Sequence, residues 1–333
     1  MEFVEGKLKE EKWFGETVFP RTLLPFHRCE DGATTLSPSF PEREGGETRL
    51  AEAVRANRVW LDEQLSRHGA ILFRGFDVRR AEDFQNVVEA FGWEEMDYGI
   101  GDATRSKVID RVYSANEAPP EVLIDFHHEM SNRKEFPSKV IFFCMEPPRE
   151  GGETSILPSH IIVEKMEEAM PEFVDKLGNV GAIMRLWNPK DYTTKKMFRR
   201  TWPQILQTED KAEAEKRALM KLGCNSVKFL EDGRAEFEYG PLNPIRTFHG
   251  GRRAWFLTIV GYSGKPEDDM GLSFADGTPF PNEAFKTYKK IRDENNVNIR
   301  WEKGDILLLD NLAVQHARRP GKPPRIILAS LCK

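Results

Sequence analysis

Residues 304–333 read GDILLLDNLAVQHARRPGKPPRIILASLCK. Gly304 and Asp305 open a strongly apolar run, Asp310 and Asn311 supply a turn, and the chain returns through His316. A Pro-Gly-Lys-Pro-Pro turn follows, and Arg325 starts the last apolar run, RIILASL. Short apolar runs bounded by Gly, Pro, Asn or Asp are strand signals. Working outward from this stretch, VIDRVY, KVIFFCM, VGAIMRLW, AEFEYG and AWFLTIVGY repeat the pattern from Val108 onward. They are not spaced as regular β-α-β units. GIGDAT, from Gly99, lacks the third glycine of a dinucleotide fingerprint. A mainly β fold with flanking helices, an antiparallel barrel or jelly roll, fits better than a doubly wound sheet.

Helical spacing marks the remaining apolar segments. TRLAEAVRANRVWLDEQLSRHG places Leu50, Val54, Leu61 and Leu65 on one face and stops at Gly69. RAEDFQNVVEAFG does the same with Phe84, Val87, Val88 and Phe91. Three further helices are expected as insertions at about 159–178, 208–223 and 281–296. Residues 20–46 are rich in Pro, Gly, Ser and Thr. The organisation expected is therefore an extended arm over 1–48 packed on a single domain over 49–333.

The chemistry concentrates at IDFHHEM, residues 124–130. His128-Glu129 lacks the second histidine of a zinc-protease H-E-x-x-H helix. Taken instead as a strand, the stretch turns His127 and Glu129 to one face and His128 to the other. One imidazole and one carboxylate are two-thirds of a facial triad, the two-His, one-carboxylate site of non-haem Fe(II) oxygenases. His316 is the candidate third ligand. Arg325, on the following strand, offers a bidentate partner for a carboxylate beside the metal. His128 either hydrogen-bonds behind the site or faces solvent. His27, His68, His160 and His249 read as ordinary surface or core residues, His68 at a helix end.

Bulk properties exclude other classes. The 333 residues carry a net charge of −5 with no long basic run, so nucleic acid is not an expected partner. The four cysteines, Cys29, Cys144, Cys224 and Cys332, lie far apart with no C-x-x-C spacing, which argues against a structural zinc site. Cys144, in VIFFCM, reads as a buried hydrophobe. The charged N-terminal stretch has no signal-peptide core, SLCK is not a peroxisomal SKL, and no membrane-length apolar run exists. A cytoplasmic location without membrane contact is expected.

Together, HGAILFRGF, FHHEMSNRKEFPSKVIFFCMEPPREGGETSILP and the C-terminal stretch resemble the TauD/TfdA family of Fe(II)/2-oxoglutarate dioxygenases. Within it they resemble the plant clavaminate synthase-like group. The shorter stretches VYSANEAPPE and DFQNVVEAFG also match. The resemblance implies a double-stranded β-helix (jelly roll) with iron at its mouth, held by His127, Glu129 and His316. It implies that Thr154, in GGET, and Arg325 bind the C5 carboxylate of 2-oxoglutarate, with Arg318 or Arg319 as the alternatives to Arg325. It implies Fe(II), 2-oxoglutarate and O2 as cofactor and cosubstrates. The reaction implied is hydroxylation, desaturation or cyclisation of a small molecule; a carboxylate at position 129 disfavours halogenation. Trp187, Arg246, Phe248, Arg252, Arg253 and Trp255 are candidates for the mouth of the site. The competing reading is a catalytically silent jelly-roll sensor that binds a metal or small acid.

Overall fold

A computed structural model describes residues 3–26, 48–99, 101, 103–191, 200–261 and 270–333. Two facing sheets organise it. The large sheet has eight strands in the order Phe3–Gly6, Arg21–Pro25, Ala70–Phe73, Ile306–Asp310, Lys139–Glu146, Ile326–Cys332, Val112–Ser114 and Lys107–Ile109. The small sheet has four, in the order Val297–Ile299, Thr154–Pro158, Val314–Arg318 and Ile124–His127. All these neighbours are antiparallel except Arg21–Pro25 with Ala70–Phe73. The sheets face one another as an open jelly roll rather than a closed barrel.

The continuous apolar runs are explained by burial on both faces. Successive strand side chains point to opposite sides of a sheet. Ile306, Leu308, Ile141 and Phe143 pack against Leu50, Val54, Phe84, Val87 and Val88 of the outer helices. Their neighbours Leu307, Leu309, Val140 and Phe142 point inward, with Ile156 and Val314 of the small sheet. On the far side of the small sheet, Phe126, Leu157 and Ala317 pack against Ile162, Val163, Met166, Tyr288 and Ile291. A separate four-stranded sheet, Ser226–Phe229, Ala235–Leu242, Ala182–Asn188 and Met270–Phe274, packs with Trp202, Leu206 and Leu222.

Several expected elements are divided by their own sequence. The segment after Thr48 is two helices, Arg49–Ala56 and Arg58–His68, interrupted at Asn57, whose side chain donates back to the Ala53 carbonyl. The 159–178 insertion is also two helices, Ser159–Ala169 and Pro171–Val180, with Pro171 opening the second. VIDRVY is a hairpin turning at Arg111 (φ 59°). AWFLTIVGY yields only the strand Arg253–Trp255. His27 and Cys29 lie outside the described residues, as does the side chain of His249.

Candidate metal centre and acid-binding cavity

His127, Glu129 and His316 converge, each offering one ligand atom within 4.8 Å of the others. His127 ends the strand Ile124–His127 and lies opposite His316 in the antiparallel pair, so strand register alone brings the rings to 4.4 Å between centroids. Glu129 arrives by a different route from the one expected. The strand stops at His127, and Glu129 stands in the turn beyond it, next to Met130 with a left-handed φ of 57°. Asn311, fully buried, holds that turn. Its Oδ1 accepts from the Glu129 amide at 2.8 Å, and its Nδ2 donates to the carbonyls of Glu129 (3.1 Å) and Pro137 (2.8 Å).

His128 neither faces solvent nor joins the triad. It is wholly buried, and its Nδ1 donates to the Asn311 carbonyl. With Nδ1 as donor, Nε2 accepts from the Ser159 hydroxyl at 2.7 Å. Burial lowers the pKa of this imidazole to about 3. His68 is likewise a satisfied core residue, bonded through Nδ1 to the Val18 carbonyl at 2.8 Å.

The electrostatics suit a divalent cation. Burial raises the Glu129 pKa, but Arg105 and the two imidazoles outweigh it and hold the carboxyl well below its ordinary range. Burial and the neighbouring His316 lower His127 to about 4, leaving its imidazole neutral at pH 7. His127 Nδ1 donates to the Asp125 carbonyl at 2.8 Å, so the lone pair belongs to Nε2. Asp125 is fixed in turn by a buried two-pronged pair with Arg292, at 3.0 and 3.1 Å. An ionised carboxylate, the neutral imidazole of His127 with its Nδ1 engaged, and the imidazole of His316, whose buried Nδ1 has no hydrogen-bond partner, fit Fe(II). Sequence reasoning missed Arg105, whose Nη2 donates to Glu129 Oε2 at 2.8 Å. Nothing in GIGDATR marks it, whereas Asn311 lay in the turn already identified.

The triad opens into a cavity that Thr154 and Arg325 also line. Arg325 precedes its strand, Ile326–Cys332, instead of starting it. Its Nε donates to the Gly152 carbonyl (2.9 Å) and its Nη2 to the Thr154 hydroxyl (3.4 Å), which also accepts from Trp301 Nε1 (3.1 Å). Gly152 is required here. Its φ is +67°, and a Cβ would come within 3.2 Å of Arg325 Cδ. Among the described residues no carboxylate pairs with Arg325. Burial and the nearby Arg318 charge lower its pKa to about 9.

Of the alternative arginines, Arg318 also lines the cavity and Arg319 does not. Arg318 donates to the carbonyls of Ala118, Pro119 and Val122, and Arg319 donates to Ser155 Oγ. Trp187, Arg246, Phe248, Arg252, Arg253 and Trp255 are not among the described residues lining the cavity. Trp187 donates to Glu236, Arg252 pairs with Asp310, Arg253 pairs with Glu167, and Arg246 lies over Phe136 and Phe256.

Comparison with known proteins shows the family. Residues 34–331 match the model of the family described as taurine catabolism dioxygenase TauD, TfdA family. A clavaminate synthase-like protein of Arabidopsis thaliana is 38% identical, covering 99% of this chain and 98% of that protein. The dapdiamide synthesis protein DdaC of Enterobacter agglomerans is 26% identical, with 81% and 84% covered. PvcB of Pseudomonas aeruginosa shares the fold with a TM-score of 0.53 at 14% identity, over 95% of this chain and 85% of that one. A taurine dioxygenase of Burkholderia xenovorans does so at 0.51 and 14%, over 99% and 89%. The chain therefore belongs to the TauD/TfdA family of dioxygenases, which use Fe(II), 2-oxoglutarate and O2.

Proposed function

We propose that this protein couples the oxidative decarboxylation of 2-oxoglutarate to the hydroxylation, desaturation or cyclisation of a small molecule, with His127, Glu129 and His316 holding iron. The observation that carries the reading is the opening of the three converging donors into the same cavity as Arg325, a cation without a carboxylate partner among the described residues. Bound there, Fe(II) with 2-oxoglutarate and O2 supplies the oxidation of an unactivated C–H bond, releasing succinate and CO2. The chain's own residues bind and orient. Arg325 and the Thr154 hydroxyl hold the C5 carboxylate of 2-oxoglutarate by charge-assisted hydrogen bonds. Phe142 borders the ring of His316 edge-on at 5.2 Å and helps to keep the cavity wall dry. No helix among the described residues is long and apolar enough to cross a membrane.

The test is spectroscopic and then chemical. Anaerobic protein given Fe(II) and 2-oxoglutarate is expected to develop a weak visible charge-transfer band. With oxygen and a metabolite extract it is expected to release succinate. Failure of folded protein to develop the band overturns the reading. A band with no succinate from any extract assigns the silent binding role instead.

A further inference from the structure

Strand register sets how near the rings of His127 and His316 come, but the ladder between their strands is interrupted. Ile124–His127 is the edge strand of the small sheet and bonds there to Val314–Arg318 alone. His127 pairs with His316 and Ile124 with Arg318, so Asp125 and Phe126 together stand opposite the single residue Ala317. Two residues against one make a β-bulge, which bends the strand that carries it and re-aims its side chains. The ring of His127 takes its direction from this bulge, because its Nδ1 donates to the Asp125 carbonyl at 2.8 Å. The bonds that hold the bulge come largely from outside the sheet. Asp125 Oδ1 accepts from the Phe126 amide at 2.8 Å, and the two carboxylate oxygens accept from Arg292 at 3.0 and 3.1 Å.

Resting on the metal-site reading above, we propose that Arg292 is a positioning residue. Through Asp125 it fixes the bulge, and so aims the Nε2 lone pair of His127 toward the point where the three donors converge. Arg292 lies on the helix Asn282–Asn295, one turn after Tyr288, and both side chains are fully buried. Tyr288 Oη accepts from Nε2 of Gln315, the residue before His316, at 3.3 Å. One helix face therefore reaches both histidine strands. The Arg292 guanidinium lies 5.3 Å from the Phe126 ring and 5.1 Å from the Tyr288 ring, which confines it. Stability alone does not account for the pair. A buried ion pair gains little over apolar packing, because both charges lose their water. What the fork adds is direction, since two parallel bonds hold Asp125 in one orientation. His316 has no corresponding bond at its buried Nδ1, so of the two imidazoles only that of His127 is aimed by an outer hydrogen bond.

The experiment titrates metal-free protein with Co(II) and reads the visible bands of the bound ion, without 2-oxoglutarate or turnover. The decisive variant combines Arg292→Met with Asp125→Asn. It removes both charges together, so neither is left buried alone, and it keeps an acceptor for the Phe126 amide. Its urea midpoint is expected to stay closer to that of the unaltered protein than the midpoint of Arg292→Met alone. Its Co(II) dissociation constant is expected to rise about tenfold or more, the scale of a lost outer hydrogen-bond partner at a metal histidine. A rise of less than about threefold overturns the proposal, and a larger rise in folded protein supports it. If the combined variant does not fold, Arg292→Lys, which keeps the charge but loses the fork, is read on the same scale. The second readout needs no metal. In histidine-nitrogen NMR spectra, with the His127 signal assigned by its loss in His127→Ala, the proton is expected on Nδ1 in the unaltered protein and shared between both nitrogens in the variant. A proton that stays on Nδ1 in the variant overturns the proposal. Failure of the unaltered protein to take up cobalt tells against the metal-site reading, and the place of that proton then decides the role of Arg292.

Discussion

Replacing His127, Glu129 or His316 with alanine removes one of three donors that lie within 4.8 Å of each other. Each change is expected to abolish tight Fe(II) binding in equilibrium dialysis and to leave the fold intact, because the hydrophobic layers do not depend on the metal. Glu129→Asp keeps the charge and is expected to retain more iron than Glu129→Ala. His128→Ala behaves differently. It retains the three donors but leaves the Asn311 carbonyl and Ser159 without their partner in a buried cavity. A loss of about 2–4 kcal/mol in urea unfolding is expected. At the other end of the cavity, Arg325→Ala is expected to weaken 2-oxoglutarate binding by roughly 30-fold to several-thousand-fold, corresponding to about 2–5 kcal/mol. Arg318→Ala instead removes hydrogen bonds to three loop carbonyls. Its expected signature is a fall in thermal stability larger than its effect on 2-oxoglutarate affinity.

At the scale of elements, the turn after His127 is the part of the site most dependent on long-range support. Asn311→Ala removes one acceptor and one two-pronged donor from that turn. Iron affinity is expected to fall in calorimetric titration although every ligand is retained, and Asn311→Asp is expected to fare poorly because it repels the two carbonyls. The same turn marks how far the sequence was legible. Strand alternation put His127 and Glu129 on one face, and the two do converge, but it had no means of locating the strand's end, because the hydrogen bonds that shape the turn come from Asn311. Likewise, helical periodicity ran across Asn57, where a local side-chain bond interrupts the helix. The apolar runs around Leu307 and Phe142 were plain as strands because both faces are buried. Arg105 left no pattern, since its role depends on which groups it meets in the folded chain.

For the whole molecule, the buried imidazoles set a response to acid. Folded His127 and His128 have pKa values of about 4 and about 3, against 6.5 for an exposed imidazole. The unfolded chain therefore binds protons that the folded chain refuses. Their contribution to stability is complete above pH 6.5 and declines as the pH falls toward about 4 and then about 3. Glu129, whose folded pKa is depressed, adds a loss in the same direction below its ordinary range. The urea midpoint of metal-free protein is expected to drop steadily between about pH 7 and about pH 5, with a shallower slope in His128→Gln. A flat midpoint over that range would contradict the buried neutral state.

Asn311 and the Glu129 backbone it holds are separated by 182 residues in sequence, and His316 lies farther along still. Ile326–Cys332, far along the chain from both its neighbours, is inserted between Lys139–Glu146 and Val112–Ser114 in the large sheet. On a translating ribosome, residues 127 and 129 emerge long before the partners that complete their site. The nascent chain must hold the gap for Ile326–Cys332 open until that strand emerges, and closing so long a loop slows folding. A metal site built from these three donors would have to wait for the docking of His316. Gain of metal in a pulse-labelled chain is expected only after Val314–Arg318 has docked beside Ile124–His127.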